Sequence, residues 1–312
     1  MKQTSHTSFS RRKFLQQTGL LLGGSLLTSA FAANAFGDAF KATTKVNGHL
    51  WLHASKYPPD YDCTPNIETV FSDFSYAGID GVELMESVLR HDDAVIKLSK
   101  LIKKYNVAVS GTSYGVGMNM WDADEHKKIL DDVKIILPRL AKVKGKTFGI
   151  SVGEAKTVKT KKQLDTQAAV LKKLMAICND NGIEANLHNH TYEVDNNMHD
   201  LKGTLARIPD IKLGPDINWL IRAGINPVDF INEYGKQIVY LHIRDQYANG
   251  SWTEYLGQGT TDFAAIAKAL KMQKFKGDVA IELAFPEDFE PVNPLKEDWK
   301  LSRQHVKKVF GW

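Results

Sequence analysis

Two cysteines in 312 residues rule out a disulfide scaffold, and 23 glycines with 10 prolines rule out a collagen-like or low-complexity chain. No apolar run reaches the ~20 residues that a membrane span needs. No Gly-x-Gly-x-x-Gly loop follows an apolar run and there is no Walker loop, so neither common phosphate cradle is present. Gly115-Val116-Gly117-Met118-Asn119 has the wrong spacing for either. A strong excess of one charge is missing too. Lys and Arg number 40 against 36 Asp and Glu, a net charge of +4. The whole excess lies in residues 1–35, which hold Lys2, Arg11, Arg12 and Lys13 and no acid. The rest of the chain is balanced and lacks the electrostatic footprint of a nucleic-acid binder. What is present is 43% hydrophobic residue content, enough to bury a large core.

The N-terminus reads as an address. Ser10-Arg11-Arg12-Lys13-Phe14-Leu15-Gln16 precedes a mild apolar stretch broken by Gly23, Gly24 and Ser25, and then Ala30-Phe31-Ala32 and Ala33-Asn34-Ala35. A basic, an apolar and a small-residue region follow in the order of an export signal. The arginine pair before Phe-Leu resembles the twin-arginine type. An ordinary secretory signal that carries two arginines is the rival reading. The expectation is a signal peptide over residues 1–35, a linker over 36–47 and the working domain over 48–312. It implies a periplasmic protein whose partner is the twin-arginine export machinery, with no stable membrane anchor. Cys63 and Cys178 are expected to be buried, unpaired thiols.

From about residue 48 one pattern recurs. A short apolar run ends in polar residues, and an amphipathic stretch follows. The runs are 49–55, 78–85, 106–114, 146–153, 183–190, 211–218, 237–245 and 277–285. Between them, 92–105, 126–143 and 161–178 carry helical periodicity, while 226–234 and 261–270 open with Asn or Thr as a cap. Gly78, Gly145, Gly182 and Gly277 sit where helices should stop. Eight strands alternating with helices predict parallel pairing, and in this length a single-domain (β/α)8 TIM barrel.

Chemistry in such a barrel gathers at the C-terminal strand ends. Those ends carry Glu83 and Glu86, then Glu154, then His188, Asn189 and His190. Asp216, Asn218 and Trp219 follow, then His242, Arg244 and Asp245, and finally Glu282. Strands buried on both faces should avoid such residues. His188, Asp216, His242 and Glu282, from four consecutive strands, form a nitrogen and oxygen set. It suits one divalent ion, Mn, Co, Zn or Fe rather than Mg, with a solvated hydrogen-bonded cluster as the rival reading.

The motifs Gly81-Val82-Glu83-Leu84-Met85-Glu86, Leu187-His188-Asn189-His190-Thr191-Tyr192-Glu193 and Gly214-Pro215-Asp216-Ile217-Asn218-Trp219 resemble the xylose isomerase-like TIM barrels. Tyr240 to Asp245, Leu256 to Phe263 and Ile281 to Phe285 extend the likeness over about 48–310. This superfamily holds the sugar phosphate isomerases/epimerases and is related to endonuclease IV. The resemblance implies one divalent metal on His188, Asp216, His242 and Glu282, the set read above. In the family's ketose epimerases the strand-5 ligand is a glutamate that works with the strand-8 glutamate as an acid/base pair. Here that position is His188, and a metal-bound imidazole shuttles protons poorly. A subset, including dehydratases, has a substrate-touching histidine two residues after the strand-5 ligand, which His190 matches.

The expected chemistry is proton removal beside a carbonyl of a carbohydrate. His190 is the first choice of base, with Glu282 or Glu154 as alternatives. Arg244 either holds a substrate oxygen or pairs with Asp245. Glu83 and Glu193 either bind substrate hydroxyls or serve as caps and rim salt bridges. Trp219, with Trp51, Tyr114 and Trp121, offers aromatic surface. Isomerisation or epimerisation, dehydration, and keto-glycoside cleavage by a lyase or hydrolase all start from the same step. A non-catalytic periplasmic sugar-binding barrel and a repair nuclease are the rivals from other classes, and the neutral body speaks against the nuclease.

Overall fold

The computed structural model describes residues 44–312 except 287 and 288. The expected signal peptide and most of the linker lie outside the described residues.

Eight parallel strands form the sheet: β1 (Val46–His49), β2 (Gly81–Met85), β3 (Ala108–Tyr114), β4 (Thr147–Ile150), β5 (Glu184–Leu187), β6 (Lys212–Leu213), β7 (Tyr240–Ile243) and β8 (Asp278–Ile281). They pair in the order β6-β5-β4-β3-β2-β1-β8-β7. The circle closes between β6 and β7 through two isolated parallel bridges, Leu213 with Ile238 and Asp216 with His242. Val239 donates to the Leu213 carbonyl and His242 to the Pro215 carbonyl, both at 2.9 Å. This is the expected (β/α)8 barrel.

The first strand differs from expectation. It ends at His49, and Trp51–Ala54 turns into a short helix, α1. Asn47 and Gly48 pair with Gly81 and Val82 on one side and with Ala280 and Ile281 on the other. The run that looked most apolar therefore packs as a helical turn, while the polar Val46-Asn47-Gly48-His49 forms the strand. Gly48 is required there, because a side chain would enter the Phe74 ring.

The outer layer contains α2 (Ile67–Ala77), α3 (Glu86–Arg90), α4 (Ala94–Tyr105), α5 (His126–Lys142), α6 (Lys161–Asp180), α7 (Thr191–Leu205), α8 (Ile217–Arg222), α9 (Pro227–Tyr234), α10 (Phe263–Met272) and α11 (Leu295–Phe310). The periodic stretches are helices, each with a buried apolar stripe such as Ile129, Val133, Ile136, Leu137 and Leu140 on α5. Asn226 caps α9 through its side chain, as read from the sequence. The cap of α10 is Asp262 rather than a threonine, its carboxylate accepting from the Ala265 amide. Gly78 ends α2 with φ 71°, a conformation that costs glycine nothing. Among the described residues no helix is long and apolar enough to cross a membrane. Cys63 and Cys178 are buried and free, and burial pushes both thiols up to about 12.

Candidate active site

The strand ends bring charge together in a protein interior. Asp216 is the N-cap of α8. Its Oδ1 accepts the amides of Asn218 at 2.7 Å and Trp219 at 3.1 Å, which fixes the carboxylate. Its Oδ2 accepts from Arg244 Nη2 at 2.6 Å. The same Nη2 lies 2.8 Å from Glu282 Oε1, while Glu282 Oε2 is 2.7 Å from His242 Nδ1. Glu83 Oε2 approaches His242 Nε2 to 2.8 Å. All five side chains are buried.

Their protonation follows from these contacts. Burial disfavours a charged His242, but Glu83 and Glu282 outweigh it and raise the imidazole to about 10. Burial likewise opposes ionisation of Glu282. Arg244, His49 and His242 overcome it and hold the carboxyl well below its usual range. His188 is driven well below the ordinary imidazole value, first by burial and then by the charges of His242 and His190. It is a neutral ring.

Among the described residues, His188, Asp216 and His242 each offer a ligand atom, and these atoms lie within 4.8 Å of one another. His188 Nδ1 is buried without a hydrogen-bond partner among the described residues. A buried acceptor costs free energy unless something occupies it. With His242 giving up its proton on binding, two imidazoles and a carboxylate fit a borderline divalent cation. Glu282 stands beside this triad, bound to His242 and Arg244.

Beyond β5 the backbone turns into α7, and His190 is its N-cap. His190 Nδ1 faces the Tyr192 hydroxyl at 3.0 Å and Ser151 Oγ at 3.3 Å. The Nδ1 edge is thus engaged. Its side chain keeps 34% exposure, the most open of the site histidines. Burial lowers its proton affinity, but the hydrogen bond and charge of Glu193 raise it to a net value above the ordinary one. Asn189 turns away, its amide group bridging the Asp216 backbone.

A cavity of about 480 Å³ opens over these groups. It is lined by His188, His190, Trp219, His242, Arg244 and Glu282, with Glu154 and Trp51 on its walls. Geometry bears on three of the open alternatives. Arg244 does not pair with Asp245; it pairs with Asp216 and Glu282. Asp245 instead accepts the amides of Gln246, Gly257, Gly259 and Thr261, which folds the loop after β7. Glu193 does not face the cavity. Its oxygens accept the Val152 and His190 amides at 3.1 and 2.6 Å, closing a capping box. Glu83 is not among the lining residues and backs His242 from the barrel interior. Glu154 is exposed at the rim, with only its carbonyl engaged, by Trp121 Nε1. Tyr114 lines the cavity but is core, its ring 4.9 Å from Phe148.

Two site residues escaped the sequence reading. His49 ends β1, accepts the Trp51 amide on Nδ1 and donates from Nε2 to Ser113 Oγ at 3.1 Å. Ending the first strand at His49 instead of starting it there would have exposed it. Trp252 arrives on the long loop after β7, its indole donating to Asn218 Oδ1 at 2.9 Å. Arg244 lies against the rings of both Trp219 and Trp252, 5.0 and 5.1 Å from their centroids. No strand-end signal marks a tryptophan held by a loop.

The family model of the xylose isomerase-like TIM barrel matches residues 71–309. No curated protein matches the chain. Solved structures match over most of its length. The D-allulose 3-epimerase of Methylomonas sp., in complex with D-allulose, is 16% identical with a TM-score of 0.67, covering 85% of this chain and 97% of the other. An L-ribulose 3-epimerase is 17% identical with a TM-score of 0.68, covering 86% and 95%. The 3-keto-D-glucoside 4-epimerase of E. coli is 16% identical with a TM-score of 0.64, covering 86% and 100%. At such identities the likeness is one of fold.

Proposed function

Because the chain belongs to the xylose isomerase-like TIM-barrel family, we propose that it is a divalent-metal-dependent enzyme of the sugar isomerase/epimerase kind. It acts on a sugar, keto-sugar, polyol or glycoside by taking a proton from the carbon beside a carbonyl. The observation that carries this reading is the convergence of a buried ligand set, in which His188 Nδ1 has no partner among the described residues, with an accessible base. His188, Asp216 and His242 gather at a single point. His190, next to His188 with ring centroids 5.1 Å apart, lines the same cavity. Glu282 completes the proposed ligand set, and Mn, Co, Zn or Fe suits it better than Mg.

When bound, the ion supplies Lewis-acid polarisation of the substrate's oxygens. The remaining work falls to this chain. His190 takes the proton, with Tyr192 and Ser151 holding its ring by Nδ1. Arg244, whose Nε and Nη1 are buried without partners among the described residues, donates to a substrate oxygen that gains charge. Trp219 lies 5.7 Å from the His190 ring and presents a face to the sugar.

A second outcome is favoured by one contact. Both Glu282 oxygens are tied, to His242 and Arg244. His190 rather than Glu282 is then the base, so loss of a β-oxygen substituent, as in a dehydratase or keto-glycoside lyase, follows as readily as reprotonation on the other face. We also propose export to the periplasm through Arg11 and Arg12. Replacing both by lysine should leave uncleaved precursor in the cytoplasm, and normal export of that variant would refute it.

The test of the main reading is a panel of sugars, keto-sugars, polyols and glycosides given to enzyme loaded with each metal, with products weighed by mass spectrometry. An unchanged mass means isomerisation or epimerisation. Loss of water or of an aglycone means elimination. Tight binding without turnover by the metal-loaded protein would make it a binding module and reject catalysis.

A further inference from the structure

The barrel mouth has two unlike sides. β5 to β8, contiguous through the closing seam, carry His188, Asp216, His242 and Glu282. The opposite side, over β1 to β3, presents Trp51 from α1, Met85 at the end of β2, and Val116 and Met118 from the loop after β3. Its polar lining groups are already engaged, His49 Nε2 with Ser113 Oγ at 3.1 Å and Asn119 Nδ2 with Glu125 at 2.8 Å. Val116 is 39% exposed, an aliphatic side chain standing open on a cavity wall. The wall is prebuilt. Gly115 has φ 116°, and a side chain on it would strike the Ser151 carbonyl. Gly153 presses as closely on the Met118 carbonyl. Glu86 is buried below, beside the backbone of Gly115 and Val116.

Such a wall suits no part of a bare sugar. A hexose carries a hydroxyl on nearly every carbon, and each one set against Met85, Val116 and Met118 would lose water without gaining a partner. The sugar's own apolar face already has Trp219, beside His190 on the charged side. The cavity of about 480 Å³ also has room beyond one hexose. The twelve non-hydrogen atoms of a hexose leave part of it empty even at the ~30 Å³ that a water takes up in the liquid. From the opposition of these two sides we infer that the β1 to β3 wall is a subsite for an apolar, aromatic aglycone, and that the substrate is a glycoside rather than a free sugar. This rests on the sugar-enzyme reading above and narrows it.

The experiment is calorimetric binding to manganese-loaded protein of matched phenyl and methyl glycosides, both anomers of gluco-, galacto- and manno-pyranosides, with the free sugars and phenol as controls. For at least one sugar the phenyl glycoside should bind about fivefold or more tighter than its methyl partner. That ratio should fall below about twofold in Trp51→Ala and in Val116→Ser, whose position in an exposed loop leaves the core intact. Equal affinity of phenyl and methyl partners, or a preference that survives both substitutions, overturns the aglycone subsite while leaving the sugar-enzyme reading in place. Phenol binding as tightly as the phenyl glycosides, or no binding of any sugar or glycoside, overturns both.

Discussion

Two buried ionic clusters, one behind the barrel wall and one at its mouth, teach opposite lessons. In the first, behind the β4 end, Lys159 donates to the Gly153 carbonyl, Gln167 Oε1 and Asp200 Oδ2. Gln167 Nε2 donates in turn to Asp200 Oδ1 and Thr204 Oγ1 at 2.7 and 2.8 Å. Every side-chain group of that cluster has a partner. The second cluster, Glu83, His242, Glu282, Arg244 and Asp216, is equally buried yet incomplete. Arg244 Nε and Nη1 and the adjoining His188 Nδ1 have no hydrogen-bond partner among the described residues. A saturated network locks α6 and α7 to the loop after β4. An unsaturated one in a cavity keeps room for a ligand.

The comparison breaks most sharply if the open cluster does no chemistry. His190→Asn should keep metal and fold but lower turnover by roughly 10²–10⁴-fold on whichever substrate the panel finds. Loss of bound metal would make His190 a ligand; undiminished turnover would move the base to Glu154 or Glu282.

The closed cluster should respond in stability instead. Asp200→Ala leaves a buried ammonium uncompensated, which costs about 3–5 kcal/mol. The midpoint of thermal unfolding should fall by roughly 10 °C. A midpoint within 2 °C of the parent would mean the network contributes nothing.

A third cluster sharpens the rule. Asp298 Oδ1 accepts from Asn293 Nδ2 at 3.1 Å, while Oδ2 is buried without a partner among the described residues. Burial, and then the nearby Glu254, raise its carboxyl to about 7. An acid whose folded value lies above its unfolded ~3.9 favours folding in its neutral form. Stability should therefore decline as pH rises from about 4 to 7, by an amount on the order of a few kcal/mol. Asp298→Asn should flatten that slope in urea titrations. An unchanged slope would assign the pH dependence elsewhere.

The smallest expected effect is at Glu83. Glu83→Gln removes the charge behind His242 and should weaken metal binding by about 10–100-fold. Competition with a chromophoric chelator measures this, and full retention of affinity would detach Glu83 from the site.

The sequence made the barrel legible because buried parallel strands and their amphipathic helices leave strong periodic marks. His188, Asp216, His242 and Glu282 were legible for a related reason, since charge at the end of an apolar run has few structural uses. Glu193 was ambiguous, although His190 and Glu193 stand three apart, the spacing of a capping box. His49 was hidden by its strand. Val46 to His49 is half polar, and the more apolar Leu50-Trp51-Leu52 beside it drew the boundary. The partners of Arg244 were invisible because Asp216 and Glu282 lie 28 and 38 positions away, whereas Asp245 is adjacent.

The seam between β6 and β7 has one more consequence. β6 is two residues long, and the joint rests on two isolated bridges, one of them Asp216 with His242. The barrel is thinnest where its proposed ligands face each other. Anything that grips both side chains acts as a clasp across the joint and taxes local opening there. Backbone amides at 239 and 242, which donate across that joint, should exchange with deuterated solvent most slowly when the site is filled, so the hoop itself reports occupancy.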